Sequence, residues 1–217
     1  TAGLLEHRSY SSNLQLLPDG EILFGFSIGL FGRFELGGSY GGSNVLGFGH
    51  SEVNSLVGFS SKIRVFDENI QYPGVVIGIN TQGFGGYSEQ IERYRFKSMG
   101  PYIVASKNWW ALGGNLSAHL GINYSLETKD DSSPSVFLGI DKDFDNIFGL
   151  NVEYDFALAD SKKDDLYGEG NGYLNSSIWW FLSDNFRFEI LFIDILSNSK
   201  GNKSFGRGLG IVFYDSF

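Results

Sequence analysis

Ser117, His119 and Asp141 are the residue types of a nucleophile, a general base and the acid that orients it. Ser117 and His119 stand two apart. On a strand they would share a face but sit about 7 Å apart along it, beyond the hydrogen-bond reach that proton transfer needs. No oxyanion-binding pair accompanies them, so polar residues on the inner face of a strand are the plainer account. Asp141-x-Asp143-x-Asp145-Asn146 begins like a calcium loop, yet Asn146 stands where that loop needs Gly, and Val152 where it needs a bidentate acid. A solvated hairpin turn explains it better. His7, His50 and His119 are scattered without metal-ligand spacing, and the chain has no Cys for a thiolate site. The expectation is no catalytic residue, no metal and no cofactor.

Two further groupings read as structure. Gly37-Gly38, Gly41-Gly42 and Gly83-x-Gly85-Gly86 open no helix, so they suit strand kinks and loops rather than a phosphate cradle. Asp130, Asp131, Asp160, Asp164 and Asp165 could bridge divalent cations, but Lys129, Lys162 and Lys163 interleave with them. A solvated rim is the expected reading.

The remaining charges alternate with large apolar residues. Arg33, Glu35, Lys62, Arg64, Asp141, Glu153, Asp155, Arg187 and Glu189 all fall opposite an apolar face. In residues 148–158, Phe148, Leu150, Val152, Tyr154, Phe156 and Leu158 oppose Gly149, Asn151, Glu153, Asp155 and Ala157. In residues 186–193, Phe186, Phe188, Ile190 and Phe192 oppose Arg187 and Glu189; residues 22–30 set Ile22, Phe24, Phe26, Ile28 and Leu30 against Gly25, Ser27 and Gly29. Period two is the signature of a strand with two unlike faces. The aromatic, continuous face is too greasy to meet water on every strand, whereas a strand with lipid outside and a polar lumen inside accounts for both faces.

Along residues 1–217 the pattern gives about twelve strands of roughly 9–11 residues, the length a tilted strand needs to cross hydrocarbon. Connections alternate between tight ones, around 31–32, 110–111, 145–146 and 183–184, and longer polar ones such as 41–55, 81–93, 127–133 and 159–169. Residues 96–109 alternate worst, because Lys107 shares a face with Ile103, Ala105 and Trp109; a bulge or rim position is expected. Trp109, Trp110, Trp180, Phe181, Phe186, Phe213 and Tyr214 cluster beside the tight turns, as an interfacial aromatic girdle does. The reading is all-β: a single up-and-down antiparallel transmembrane β-barrel in one domain. An even strand number places both termini on the tight-turn side, which is periplasmic in such barrels.

Composition agrees. Thirty Gly against four Pro suits strands and turns, and no apolar run is long enough for a transmembrane helix. A mean hydropathy of −0.09 says little where only half of each strand meets lipid. A net charge of −9 argues against nucleic acid as a partner.

Two resemblances add context. Leu209, Ile211, Phe213 and the final Phe217 resemble the closing strand of bacterial outer-membrane β-barrels, with Asp215 departing from the usual apolar residue. That implies Phe213 and Phe217 as a signal read by the barrel-assembly machinery, outer-membrane lipid as surroundings, and a bacterial outer-membrane location. Pro73 and the strand that follows it, the Gly-rich loop, and Tyr102-Ile103-Val104-Ala105-Ser106-Lys107-Asn108 resemble YjbH-type envelope proteins over residues 73–124. Those proteins are associated with exopolysaccharide production, which implies polysaccharide-export proteins as partners.

Charges inside a closed barrel are costly unless paired or hydrated. Paired, they hold the barrel shut; separated into patches, they orient a solute. The expectation is therefore a non-enzymatic envelope component, linked to surface-polysaccharide export, with its lumen filled by ion pairs. The alternatives are a narrow, porin-like diffusion channel for small polar solutes, and a soluble β-barrel binding an apolar ligand.

Overall fold

The computed structural model describes residues 1–47, 52–53, 57–129, 131, 133–160, 167–200 and 204–217. In chain order the strands are β1 (Ser9–Leu17), β2 (Glu21–Leu30), β3 (Phe34–Ser43), β4 (Glu52–Val53), β5 (Gly58–Phe66), β6 (Gly74–Asn80), β7 (Phe84–Ser88) and β8 (Arg93–Phe96). They continue as β9 (Gly100–Ala111), β10 (Gly114–Tyr124), β11 (Pro134–Phe144), β12 (Phe148–Asp155), β13 (Tyr173–Ser183), β14 (Phe186–Ile193) and β15 (Gly206–Ser216). Antiparallel pairing runs β2-β1-β15-β14-β13-β12-β11-β10-β9-β6-β5-β3, and the β2–β3 pair shuts the ring. The result is a closed barrel of twelve antiparallel strands. The two-residue β4 extends β3 at one rim, while β7 and β8 pair only with each other.

Turn chemistry explains where strands reverse. Phe31-Gly32, Leu112-Gly113 and Asp145-Asn146 each put two successive residues at positive φ, the conformation whose twist matches a tight hairpin. These turns and residues 184–185 form one rim, here the lower. The lower rim also receives the start of β1 and the end of β15: Ser9 faces Ser216, and Phe217 N–H donates to Arg8 C=O at 2.8 Å. The second of the tight turns lies at 112–113 rather than 110–111, because β9 continues through both Trp109 and Trp110. The long strand expected at 96–109 begins only at Gly100; residues 81–99 instead hold the β7–β8 hairpin.

Apolar side chains point away from the axis. Leu150, Ile178, Ile190 and Leu209 stand opposite one another across four adjacent strands, and all four are exposed. The same belt carries Leu14, Phe24, Leu120, Leu138, Ile140 and Phe148. Among the described residues few apolar side chains are buried: Val76, Val104 and Leu23 lie on the inner face, and Tyr94, Tyr167 and Tyr173 are buried as well. No solvated soluble barrel would spend its largest apolar residues this way. Trp109, Trp110 and Trp180 are exposed near the lower rim. Lys107 and Lys142 share the outward parity there and turn toward polar groups. Lys107 pairs with Glu68 at 3.2 Å, and Lys142 Nζ donates to Ala111 C=O at 2.7 Å. Lys107 thus holds a rim position, and no bulge interrupts β9.

Two of the expected girdle residues belong inside. Phe181 stands opposite Arg187, and Tyr214 follows the parity of Val212, which also faces Arg187. The Arg187 guanidinium lies 5.4 Å from the Tyr214 ring centre, 6.0 Å from Phe181 and 5.8 Å from Trp179. Nearness to a turn suggested the girdle; strand parity decides against it. Phe186 and Phe213 face each other on the opposite side of the same strands.

Candidate permeation pathway

The lower half of the lumen is crowded. Lys62 Nζ meets Glu35 at 3.0 Å, and Arg187 pairs with Glu189, whose side chain is buried. Arg64 reaches Asp67 at 4.0 Å. Arg33 is not among these lumen groups. It ends the β2–β3 turn, exposed on the lower rim, and pairs with Asp67. The strand parity that placed it inside does not apply within a turn.

Ser117 does not serve His119. Its hydroxyl bonds Asn108, while His119 Nδ1 lies 2.6 Å from Ser106 Oγ and Nε2 lies 2.8 Å from Asp141 Oδ2. Ser106 and His119 are cross-strand partners on β9 and β10. With Asp141 accepting from Nε2–H, Nδ1 accepts the Ser106 hydroxyl, and Ser106 Oγ in turn accepts the Ala2 N–H at 2.7 Å. Both the hydroxyl proton and an oxygen lone pair are engaged, in a buried position. That arrangement fixes a backbone; it leaves no nucleophile facing a substrate.

Asp143 is engaged by Asn115, accepting from its N–H at 3.1 Å and Nδ2 at 2.9 Å. The acids of 141–145 do not converge, and among the described residues no group of three metal-ligating side chains forms. His7 accepts from Phe31 N–H at the lower rim; His50 lies outside the described residues.

The Ala2 contact reveals what fills the lower lumen. Residues 1–6 enter the barrel from the lower rim and run along its inner wall. Leu5 N–H donates to Glu35 Oε2 at 3.0 Å, Arg64 Nη2 reaches Ala2 C=O at 3.5 Å, and Ala2 packs against Val76 and Val104. Gly29 permits the approach: a Cβ there would stand 2.1 Å from Glu6 C=O.

Above this segment the lumen opens into a cavity of about 880 Å³. Its walls include Gln15, Asn151, Glu153, Asp155, Asn175 and Arg207. Glu153 faces the water-accessible space, and Asp155 accepts from Ser135 Oγ at 2.8 Å.

Residues 81–99 form a strap across the upper mouth. The ring order places β6 and β9, which hold its ends, far around the barrel from β1 and β15. Yet Gly85 N–H donates to Glu21 at 2.9 Å, and Arg95 reaches Asp19 at 3.4 Å and Ser199 at 3.1 Å. Lys97 Nζ donates to the Asp131 and Ala159 carbonyls at 2.6 and 3.0 Å. Arg93 meets Asp160 at 2.8 Å, which also accepts from the Tyr173 hydroxyl. Asp160 is therefore part of a buried anchor rather than a solvated rim. Asp130, Asp164, Asp165, Lys162 and Lys163 lie outside the described residues, and Lys129 pairs with Glu92 at 2.9 Å. Glu127 accepts N–H groups from Tyr94, Ser98 and Met99 at 2.7, 2.9 and 3.1 Å. Burial pushes its carboxyl up from the ordinary range, against those donors and the nearby Arg93, which pull it down.

Sequence reading missed both fillers. Arg93, Arg95 and Lys97 do alternate with Tyr94 and Phe96, a period-two signal for the second arm of the strap. Residues 1–6 have no such pattern; small residues at inward positions of opposing strands, Gly29 and Ser106, are the only trace.

No family model and no curated protein matches the chain. Among solved structures it is similar to a KdgM porin, at 10% identity and a TM-score of 0.56, over 96% of this chain and 99% of that one. It is also similar to a KdgM porin in complex with disordered oligogalacturonate, at 12% identity and a TM-score of 0.59, over the same shares. At such identities the likeness is one of fold, a closed antiparallel barrel matched over nearly its whole length.

Proposed function

We propose that this chain is a non-enzymatic, porin-type diffusion channel of the bacterial outer membrane that passes small polar solutes. The observation that carries the reading is a water-accessible cavity of about 880 Å³, reached by charged and polar side chains such as Glu153, Asp155 and Asn175, inside a barrel whose outer face is apolar. Lipid satisfies the outside and water the inside. The fold likeness to KdgM porins favours a channel over a purely structural envelope role. An apolar-ligand carrier would reverse both faces.

The mixed charge of the cavity, with Glu21, Glu153 and Asp155 against Arg95, Lys97 and Arg207, suits small polar solutes more than a long chain of one charge. Partners on this reading are outer-membrane lipid along the belt and the barrel-assembly machinery at Phe213 and Phe217. The short tight turns, the start of β1 and the end of β15 then face the periplasm. The exopolysaccharide role implied by residues 73–124 has no support from the porin likeness, and we rank it behind the channel.

Planar-bilayer recordings of the detergent-folded protein test the proposal. Steady, ohmic steps are expected; a barrel that inserts and stays silent at every voltage overturns it.

A further inference from the structure

We infer that residues 1–6 are a resident plug that sets the channel's cut-off from the lower end. This rests on the channel reading and adds its gate. The segment is held by backbone rather than by side-chain bulk. Ser106 Oγ takes the Ala2 N–H, Glu35 takes the Leu5 N–H, and Arg64 reaches the Ala2 carbonyl. Extended chain so held is displaceable, because each bond can be exchanged for water entering from either end. The barrel wall is built to receive it. Ala2 is buried against Val76 and Val104 on neighbouring strands, Leu4 packs on that cluster, and Gly29 leaves the gap that Leu5 and Glu6 occupy.

The His119–Asp141 pair belongs to the same device. It orients the Ser106 hydroxyl so that its oxygen lone pair faces Ala2. His119 and Asp141 are thus positioning residues for the plug, which accounts for a buried Ser106–His119 pair held by a half-buried Asp141. Around this latch the segment takes up part of the lumen, and the cavity above it is a vestibule that the segment narrows from below.

The test compares three proteins in planar bilayers: the parent chain, a chain lacking residues 1–6, and Gly29→Val. The valine side chain suits a strand but collides with the Leu5 and Glu6 carbonyls, so it evicts the plug without shortening the chain. Both variants should show conductance roughly two-fold higher or more, and a larger neutral-polymer cut-off, since conductance follows the narrowest lumen section. A deletion that conducts like the parent overturns the plug while leaving the channel standing. If none of the three conducts, the channel reading fails. The plug is then judged by Ala2→Cys, unique in a Cys-free chain. Protection from a bulky, water-soluble maleimide until denaturation supports it, and immediate labelling overturns it.

Discussion

Arg93 and Asp160 meet at 2.8 Å with side chains 0% and 3% exposed, tying the mouth strap to the β12–β13 connection. A charge pair so fully withdrawn from water is tolerated only while both members remain. The strap's position over the vestibule depends on it.

Asp160→Asn should therefore release the strap. It takes the Asp160 carboxylate from the Arg93 guanidinium and the Tyr173 hydroxyl, at up to about 3–5 kcal/mol for a broken buried pair, felt locally. Hydrogen exchange at the amides of residues 93–96 in micelles should speed sharply, with the barrel strands unchanged.

Glu127 separates charge from hydrogen bonding in the same anchor. Glu127→Ala orphans the N–H groups of Tyr94, Ser98 and Met99, at about 1–3 kcal/mol for each buried donor left unmade. Glu127→Gln keeps a carbonyl acceptor and should lose much less. Limited proteolysis between residues 81 and 99 should rank the two in that order.

Glu153 carries no ion pair among the described residues and faces the vestibule. The channel should accordingly prefer cations weakly, and Glu153→Gln should shift the reversal potential in a salt gradient toward anions. The shift should shrink at high ionic strength, where the Debye length falls to about 3 Å at 1 M.

Ser106→Ala removes the acceptor for the Ala2 N–H and strands His119 Nδ1. With a typical hydrogen bond contributing about 0.5–1.5 kcal/mol, the plug should loosen rather than leave. Open-channel current should become noisier, with brief excursions to the conductance of the chain lacking residues 1–6.

The barrel was readable because period two persists wherever a strand crosses lipid. Leu150, Ile178, Ile190 and Leu209 must all face outward, and a slip of one residue would put charges there instead. Parity failed where strands bend or stop. Arg33 sits in a turn; for Phe181 and Tyr214 parity holds, and nearness to a turn is what misleads. Asp160 looked solvated because its partner, Arg93, is distant in sequence. The strap hid behind Gly85 and Gly86, whose positive φ values break the alternation and shift the β7–β8 register. The plug uses backbone donors and carries no side-chain code. Ser106 replaced Ser117 as the His119 partner because a cross-strand neighbour lies closer than a residue two along the same strand.

The central claim is that the apolar outer face meets hydrocarbon, and Leu120→Arg tests it most directly. Leu120 is 53% exposed midway along β10, flanked by Leu138 and Ala105. Reversible folding into phospholipid bilayers should lose about 2–4 kcal/mol, as a cation near the bilayer midplane demands. A change within about 0.5 kcal/mol, the ordinary cost of a substitution on a water-facing surface, would contradict the account.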